Sequence, residues 1–181
     1  MKTRTRALAF LVALMISGTA ALWIADDPIA ASRVWRRLEL GVGGTRIEGT
    51  DGVMLQRSWW DCGPAALFNL LARMGTQPPS LDSLVVLTAG APPRGTRLGA
   101  IAEAAESLGF RSALFRASPG TLDRIDLPAL AWFDRRHFVV LSHRDDSGYT
   151  VILDPEVGRY RLAPASLHRR WSGQGLRLTP R

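Results

Sequence analysis

Gln56-Arg57-Ser58-Trp59-Trp60-Asp61-Cys62-Gly63-Pro64-Ala65-Ala66-Leu67 is a turn that becomes a helix. From Cys62 onward the apolar residues Ala66, Leu67, Leu70, Leu71 and Met74 recur at steps of three and four, the period of one helix face. Pro64 suits a first helical turn, where its missing N–H would be unpaired in any case. Gly75 stops the helix, with Pro78-Pro79 beyond it. Cys62 therefore opens a helix, and the positive end of the helix dipole favours a thiolate there. Cys62 is the single cysteine of the 181-residue chain, so it forms no internal disulfide. By itself such a cysteine reads as a small buried hydrophobe. Its neighbours argue for more.

Toward the N-terminus, Val53-Met54-Leu55 reads as a short strand leading into Gln56. Residues 25–52 carry Gly41, Gly43, Gly44, Gly49 and Gly52 with little periodicity, and read as a connector. Before them, Lys2, Arg4 and Arg6 precede Ala7–Ile24, 18 residues without a charge. Two readings stay open for residues 1–24. A signal peptide would use Ala7–Ile16 as its apolar core and Gly18-Thr19-Ala20 as a small-residue cleavage site. An uncleaved anchor would use all 18 residues, about the minimum to cross a bilayer. Positive charge at the front keeps the N-terminus cytoplasmic in both cases. The remainder is then exported, either periplasmic or anchored to the inner membrane facing the periplasm.

Toward the C-terminus, a second helix is expected over Leu81–Ala89, capped by Ser80, and a third over Leu98–Leu108, capped by Thr96 and closed by Gly109. The period then changes. Phe110–Phe115, Leu127–Phe133, Phe138–His143, Tyr149–Leu153, Arg159–Leu162 and Leu176–Leu178 read as short strands between turn residues. Helices first and strands second predict an α+β domain over residues 53–181, with a helical layer packed on an antiparallel sheet.

Composition removes several functions. Apolar residues make up 46% of the chain and charged residues 22%, which suits a packed domain. The only lysine is Lys2, so no Gly-Lys-Ser/Thr phosphate loop exists and the chain is no ATPase. The net charge is +7, but the arginines alternate with acids and form no basic stripe interleaved with aromatics. Nucleic-acid binding is not expected.

A thiol nucleophile needs a base, an orienting group and an oxyanion donor. His137 opens the strand His137-Phe138-Val139-Val140-Leu141, where a side chain can point into a cleft. His143 lies on the same strand six residues on, roughly 20 Å away, so the two cannot share one site or one zinc ion. His168 stands beside Arg169-Arg170 and reads as a surface residue. Asp154 ends the next strand, Val151-Ile152-Leu153-Asp154. Antiparallel neighbours bring the start of one strand beside the end of the next, so His137 and Asp154 should meet at one sheet edge. Each alone has a plain alternative: a satisfied structural histidine, and an Asp-Pro turn. Gln56 lies six residues before Cys62, across the turn, where its amide reaches an oxyanion site together with the Cys62 N–H. Gly63 would let the backbone approach a bound carbonyl. Trp59, Trp60 and Asp61 either line a substrate cleft or fix the loop.

The whole stretch from Gln56 to Leu67 resembles the nucleophile motif of the bacteriocin-processing, double-glycine cysteine peptidases, which are papain-like domains. The likeness continues through Leu98 and Gly109, Pro128-Ala129-Leu130, His137–Leu141, Leu153-Asp154-Pro155 with Gly158, and Trp171-Ser172-Gly173. It implies that Cys62, His137 and Asp154 are catalytic, that Gln56 lines the oxyanion hole, and that no metal or cofactor takes part. The transporter-linked members of that family continue into membrane and nucleotide-binding domains. This chain resembles the standalone members associated with secretion or surface assembly. The expected partner is an exported protein or peptide, cut next to small residues. Other acyl transfer on the same thioester, and a non-catalytic peptide-binding module, remain alternatives.

Overall fold

The computed structural model describes residues 29–181. The apolar run 7–24 lies outside them, and no helix among the described residues is long and apolar enough to cross a membrane.

Among the described residues, five helices and seven strands follow one another as α1 (Ala30–Val42), β1 (Ile47–Gly49), α2 (Cys62–Arg73), α3 (Leu81–Leu87), α4 (Leu98–Ser107), β2 (Phe110–Arg116), β3 (Ala129–Phe133), β4 (His137–Arg144), β5 (Thr150–Asp154), β6 (Gly158–Leu162), α5 (Pro164–Arg170) and β7 (Trp171–Pro180). A 3-10 turn, Pro119–Arg124, joins β2 to β3. The strands form one sheet in the order β1-β6-β5-β4-β3-β7-β2, every pair antiparallel.

The helical layer of α2, α3 and α4 covers one face of the sheet, as the α+β reading expects. Leu67, Leu70, Leu71, Leu84 and Ile101 pack there on Leu130, Phe138, Val140 and Leu176. The other face is covered as well. Leu40 of α1, Leu122, and Leu167 of α5 pack there on Phe133, Val139, Ile152 and Tyr160. The central strands are therefore buried on both sides. This is why β4 and β5 are continuous apolar runs, Phe138–Leu141 and Val151–Leu153, without alternation.

Four sequence expectations need correction. Residues 25–52 are not merely a connector, because α1 and β1 lie within them. The helix was hidden by its inverted pattern: its buried residues are Ala30, Arg36 and Leu40, with an arginine at the centre. Val53–Leu55 is no strand. Its polar groups are met instead by a side chain, Asn69, which accepts from Met54 N at 2.7 Å and donates to Met54 O at 3.0 Å. Thr96 does not cap the third helix, whose N-cap is Arg97 without a side-chain bond. Ser80 does cap α3, accepting from Ser83 N at 3.2 Å. Finally, the chain between Leu162 and the closing strand is helical, as α5.

Candidate active site

The Arg57–Asp61 turn places Cys62 at the head of α2. Asp61 holds that turn closed: its buried carboxylate accepts from Arg57 N at 3.2 Å and Ser58 N at 2.9 Å. Asp61 thus fixes the loop rather than facing a substrate. Gly63 is likewise required by packing, since a Cβ there would stand 2.7 Å from Thr96 Cβ. Trp60 is half-buried, whereas Trp59 is 55% exposed and free to meet a substrate. Cys62 retains 7% exposure at the margin of the core.

The strand-order argument for His137 and Asp154 holds. Phe133 pairs with His137 across the β3–β4 turn, and Val140 pairs with Leu153 across β4 and β5. That register brings the start of β4 beside the end of β5, and His137 Nε2 lies 2.7 Å from Asp154 Oδ1. The Cys62 thiol lies near enough to the imidazole to add to the interactions that raise its pKa. With Nε2 engaged by Asp154, Nδ1 is the nitrogen left for the thiol. His143, on the same strand, bonds to Ser142 Oγ instead.

The electrostatics favour an ionised pair. Burial disfavours the His137 imidazolium, but the charge and hydrogen bond of Asp154, with Cys62 adding to them, push its pKa up to about 10. Burial also disfavours the Asp154 carboxylate. His137, Arg36 and the Glu156 N–H overcome that and hold it well below the usual carboxylate range. Burial and the neighbouring carboxylate push the Tyr160 phenol well above its ordinary value, so it stays protonated and donates to Asp154 Oδ2 at 3.0 Å.

Gln56 is buried and held from three directions. Its N–H donates to Pro155 O at 2.7 Å, tying it to the turn that follows Asp154. Its carbonyl accepts from Arg33 Nη2 at 2.7 Å, and its Nε2 donates to Ser58 O at 3.1 Å. The two-way bond between Asn69 and Met54 fixes the segment just before it. Arg33, Arg36, Asn69 and Tyr160 were not singled out from the sequence. Asn69 lies seven residues after Cys62, two helical turns on, and that spacing was the available signal for it.

His137, Asp154 and Glu156 bring three potential ligand atoms within 4.8 Å of one another. The donor chemistry does not suit a metal. His137 Nε2 is spent on Asp154, Glu156 accepts from Ser32 Oγ, and the Arg36 guanidinium already lies 3.3 Å from Asp154 Oδ2. A divalent cation would face that arginine. The arrangement is instead a thiol, an imidazole and a carboxylate in line, suited to nucleophilic acyl transfer.

Known proteins share this design. The profile of the Peptidase C39 family matches residues 51–181. An "Uncharacterized protein" of Methanothermobacter marburgensis is 29% identical over 114 residues, which cover 63% of this chain and 78% of that protein. The "Probable functional amyloid protease FapD" of Pseudomonas aeruginosa is 30% identical over 129 residues, covering 65% of this chain and 56% of that protein's length. The fold is similar to the crystal structure of a double glycine motif protease from an AMS/PCAT transporter in complex with the leader peptide, with a TM-score of 0.66 and 23% identity, covering 76% of this chain and 99% of that one. The profile matches more than half of the chain, and the papain-like architecture agrees with it: the protein belongs to the Peptidase C39 family and is a cysteine peptidase.

Proposed function

We propose that Cys62, His137, Asp154 and Gln56 form the active site of an exported cysteine endopeptidase that cuts next to small residues in an exported protein or peptide. The observation that carries this is the position of His137, hydrogen-bonded to a buried carboxylate and next to the only thiol of the chain.

The chemistry follows from that position. The Cys62 thiolate attacks the scissile carbonyl carbon and forms a C–S bond. The carbonyl oxygen takes the negative charge, and the Gln56 Nε2 and Cys62 backbone N–H groups supply donors to it. His137 gives a proton to the leaving amine, and the C–N bond breaks. Water enters, His137 removes its proton, and the thioester is hydrolysed to a free carboxylate. Asp154 holds the imidazole orientation through both proton transfers. Transfers of this kind contribute a factor of about 100 to 10,000.

The substrate class is supported by two relatives. One solved peptidase is complexed with a leader peptide, and one relative carries the name of a functional amyloid protease. Both names suit an extended segment of an exported precursor. Trp59 and Trp60 stand just before the nucleophile, where they narrow a cleft against bulky side chains. The export reading rests on the uncharged run 7–24 behind three cations.

The test compares the peptide termini released by the full chain and by Cys62→Ala, using mass spectrometry on a peptide library. Cleavage beside Gly or Ala that disappears in Cys62→Ala, with unchanged circular dichroism, is the expected result. Cleavage confined to sites flanked by large residues would refute the specificity. Ligated products in place of free carboxylates would assign the site to acyl transfer.

A further inference from the structure

The N-terminal helix α1 precedes the residues matched by the family profile, yet its inward face reaches three parts of the site. Ser32 Oγ donates to Glu156, and Arg33 Nη2 donates to the Gln56 carbonyl at 2.7 Å. Arg36, only 1% exposed, approaches Asp154 Oδ2 with Nη2 at 3.3 Å and Nε at 3.4 Å. Its Nη1 lies 2.5 Å from Asp134 Oδ2, and Asp134 is shared with Arg170. A guanidinium is expensive to bury and persists only where carboxylates meet it. Here one of those carboxylates is the partner of His137.

We propose that Arg36 is a positioning residue of the peptidase, clamping Asp154 through the oxygen that His137 does not use and dividing that carboxylate's charge between guanidinium and imidazole. This deepens the reading of Cys62, His137 and Asp154 given above and rests on it. Without Arg36, Oδ2 keeps only the Tyr160 hydroxyl, and the carboxylate gains freedom to turn away from His137. The imidazolium would also sit against a fuller negative charge and release its proton less readily to the leaving amine.

The experiment measures kcat, KM and the pH profile of full-chain Arg36→Gln and Arg36→Lys. The groups that face His137 and Asp154 stay constant in both variants: Cys62, Glu156, Tyr160, Asp134, Arg170 and Glu39. Arg36→Gln is expected to lower kcat with little change in KM, and to move the alkaline limb upward by up to about one pH unit, because a cation opposing the imidazolium is gone. Arg36→Lys is expected to keep the wild-type limb and still lose kcat, because lysine lacks the planar fork. A folded Arg36→Gln with wild-type kcat and an unmoved limb would overturn the proposal. If Arg36→Gln does not fold, Arg36→Lys decides: wild-type kcat overturns it, and reduced kcat with an unmoved limb supports it. Failure of the underlying reading would appear separately, as full activity of Cys62→Ser.

The outward face of α1 carries an independent inference. Val34, Leu38 and Val42 are spaced by four and Trp35 adjoins them, at 47%, 58%, 92% and 65% exposure. The helix thus buries Arg36 and turns an apolar stripe outward, with Arg37 and Arg46 exposed nearby. The uncharged run ends at Ile24, five residues before Ile29, which is a reach of at most about 18 Å. We infer that this stripe seats on an anionic lipid surface, with Trp35 at the headgroup level and the arginines against the lipid charge. A photoreactive benzoylphenylalanine in place of Leu38, in the full chain expressed in cells, tests it. A lipid adduct is expected. A crosslinked dimer, an adduct to residues 7–24, an adduct to another protein or no adduct at all would overturn it.

Discussion

Asn69 clasps Met54 from both sides, with Oδ1 2.7 Å from Met54 N and Nδ2 3.0 Å from Met54 O. One side chain of α2 thereby replaces a strand partner for the segment that delivers Gln56. Asn69→Ala leaves a backbone donor and acceptor unpaired, at a cost of about 1–3 kcal/mol for each group that stays buried. Urea titration should show a lower midpoint, and kcat should fall with it because Gln56 lies two residues downstream.

Gln56→Ala should lower kcat by about 100- to 1,000-fold and leave KM nearly unchanged, since the donor acts on charge that develops only in the transition state. Steady-state kinetics on a cleaved peptide check this, and an unchanged kcat removes Gln56 from the oxyanion site.

Asp154→Asn should move the alkaline limb of activity to lower pH. The imidazole is held up to about 10, against its own burial, mainly by the charge and hydrogen bond of Asp154. A neutral amide removes that support, so the imidazolium loses its proton earlier as pH rises. A pH–rate profile reads the shift directly, and a limb that stays in place contradicts the assignment.

Stability should decline on the alkaline side. His137 has a folded value raised above about 6.5, its value in an unfolded chain. Its contribution is full below that pH and is lost as pH rises toward about 10. Asp154 and Asp134 are depressed, so their contributions are present above about pH 4 and are lost as pH falls further. Calorimetry at constant ionic strength should therefore show the highest Tm between about pH 4 and 6.5. His137→Leu should flatten the fall between about pH 6.5 and 10.

Gly158→Ala should destabilise the hairpin that carries Asp154. Gly158 has φ +104°, and a Cβ there would stand 2.2 Å from the Gly49 carbonyl oxygen. Backbone strain and overpacking each cost about 1–3 kcal/mol. Thermal denaturation should show a clear drop in Tm.

The meeting of His137 with Asp154 near Cys62 was legible because it rests on order along the chain. A cysteine at a helix start, a histidine at the head of one strand and an aspartate at the end of the next define a meeting point without knowledge of side-chain contacts. Asp61 and Gly63 were legible as neighbours of the nucleophile, but their duties depend on Arg57, Ser58 and Thr96, which only the folded loop brings together. The supporting cation was out of reach for a similar reason. Arg36 lies in a glycine-bordered segment, and its partner Asp154 is 118 residues away in sequence. Helix α1 also departs from the usual rule by burying Arg36 and exposing Trp35, so an apolar-inward pattern could not reveal it.

That separation has a consequence for timing. Gln56 and Cys62 emerge early from the ribosome, whereas His137 and Asp154 follow in the second half of the chain. The contact between Arg36 and Asp154 closes a loop spanning most of the domain, and contacts of that range form late in folding. A chain that is only partly made has Cys62 but neither His137 nor Asp154 beside it. On the assignment proposed above, proteolytic competence is thus tied to completion of the fold, and a partly made chain remains inert.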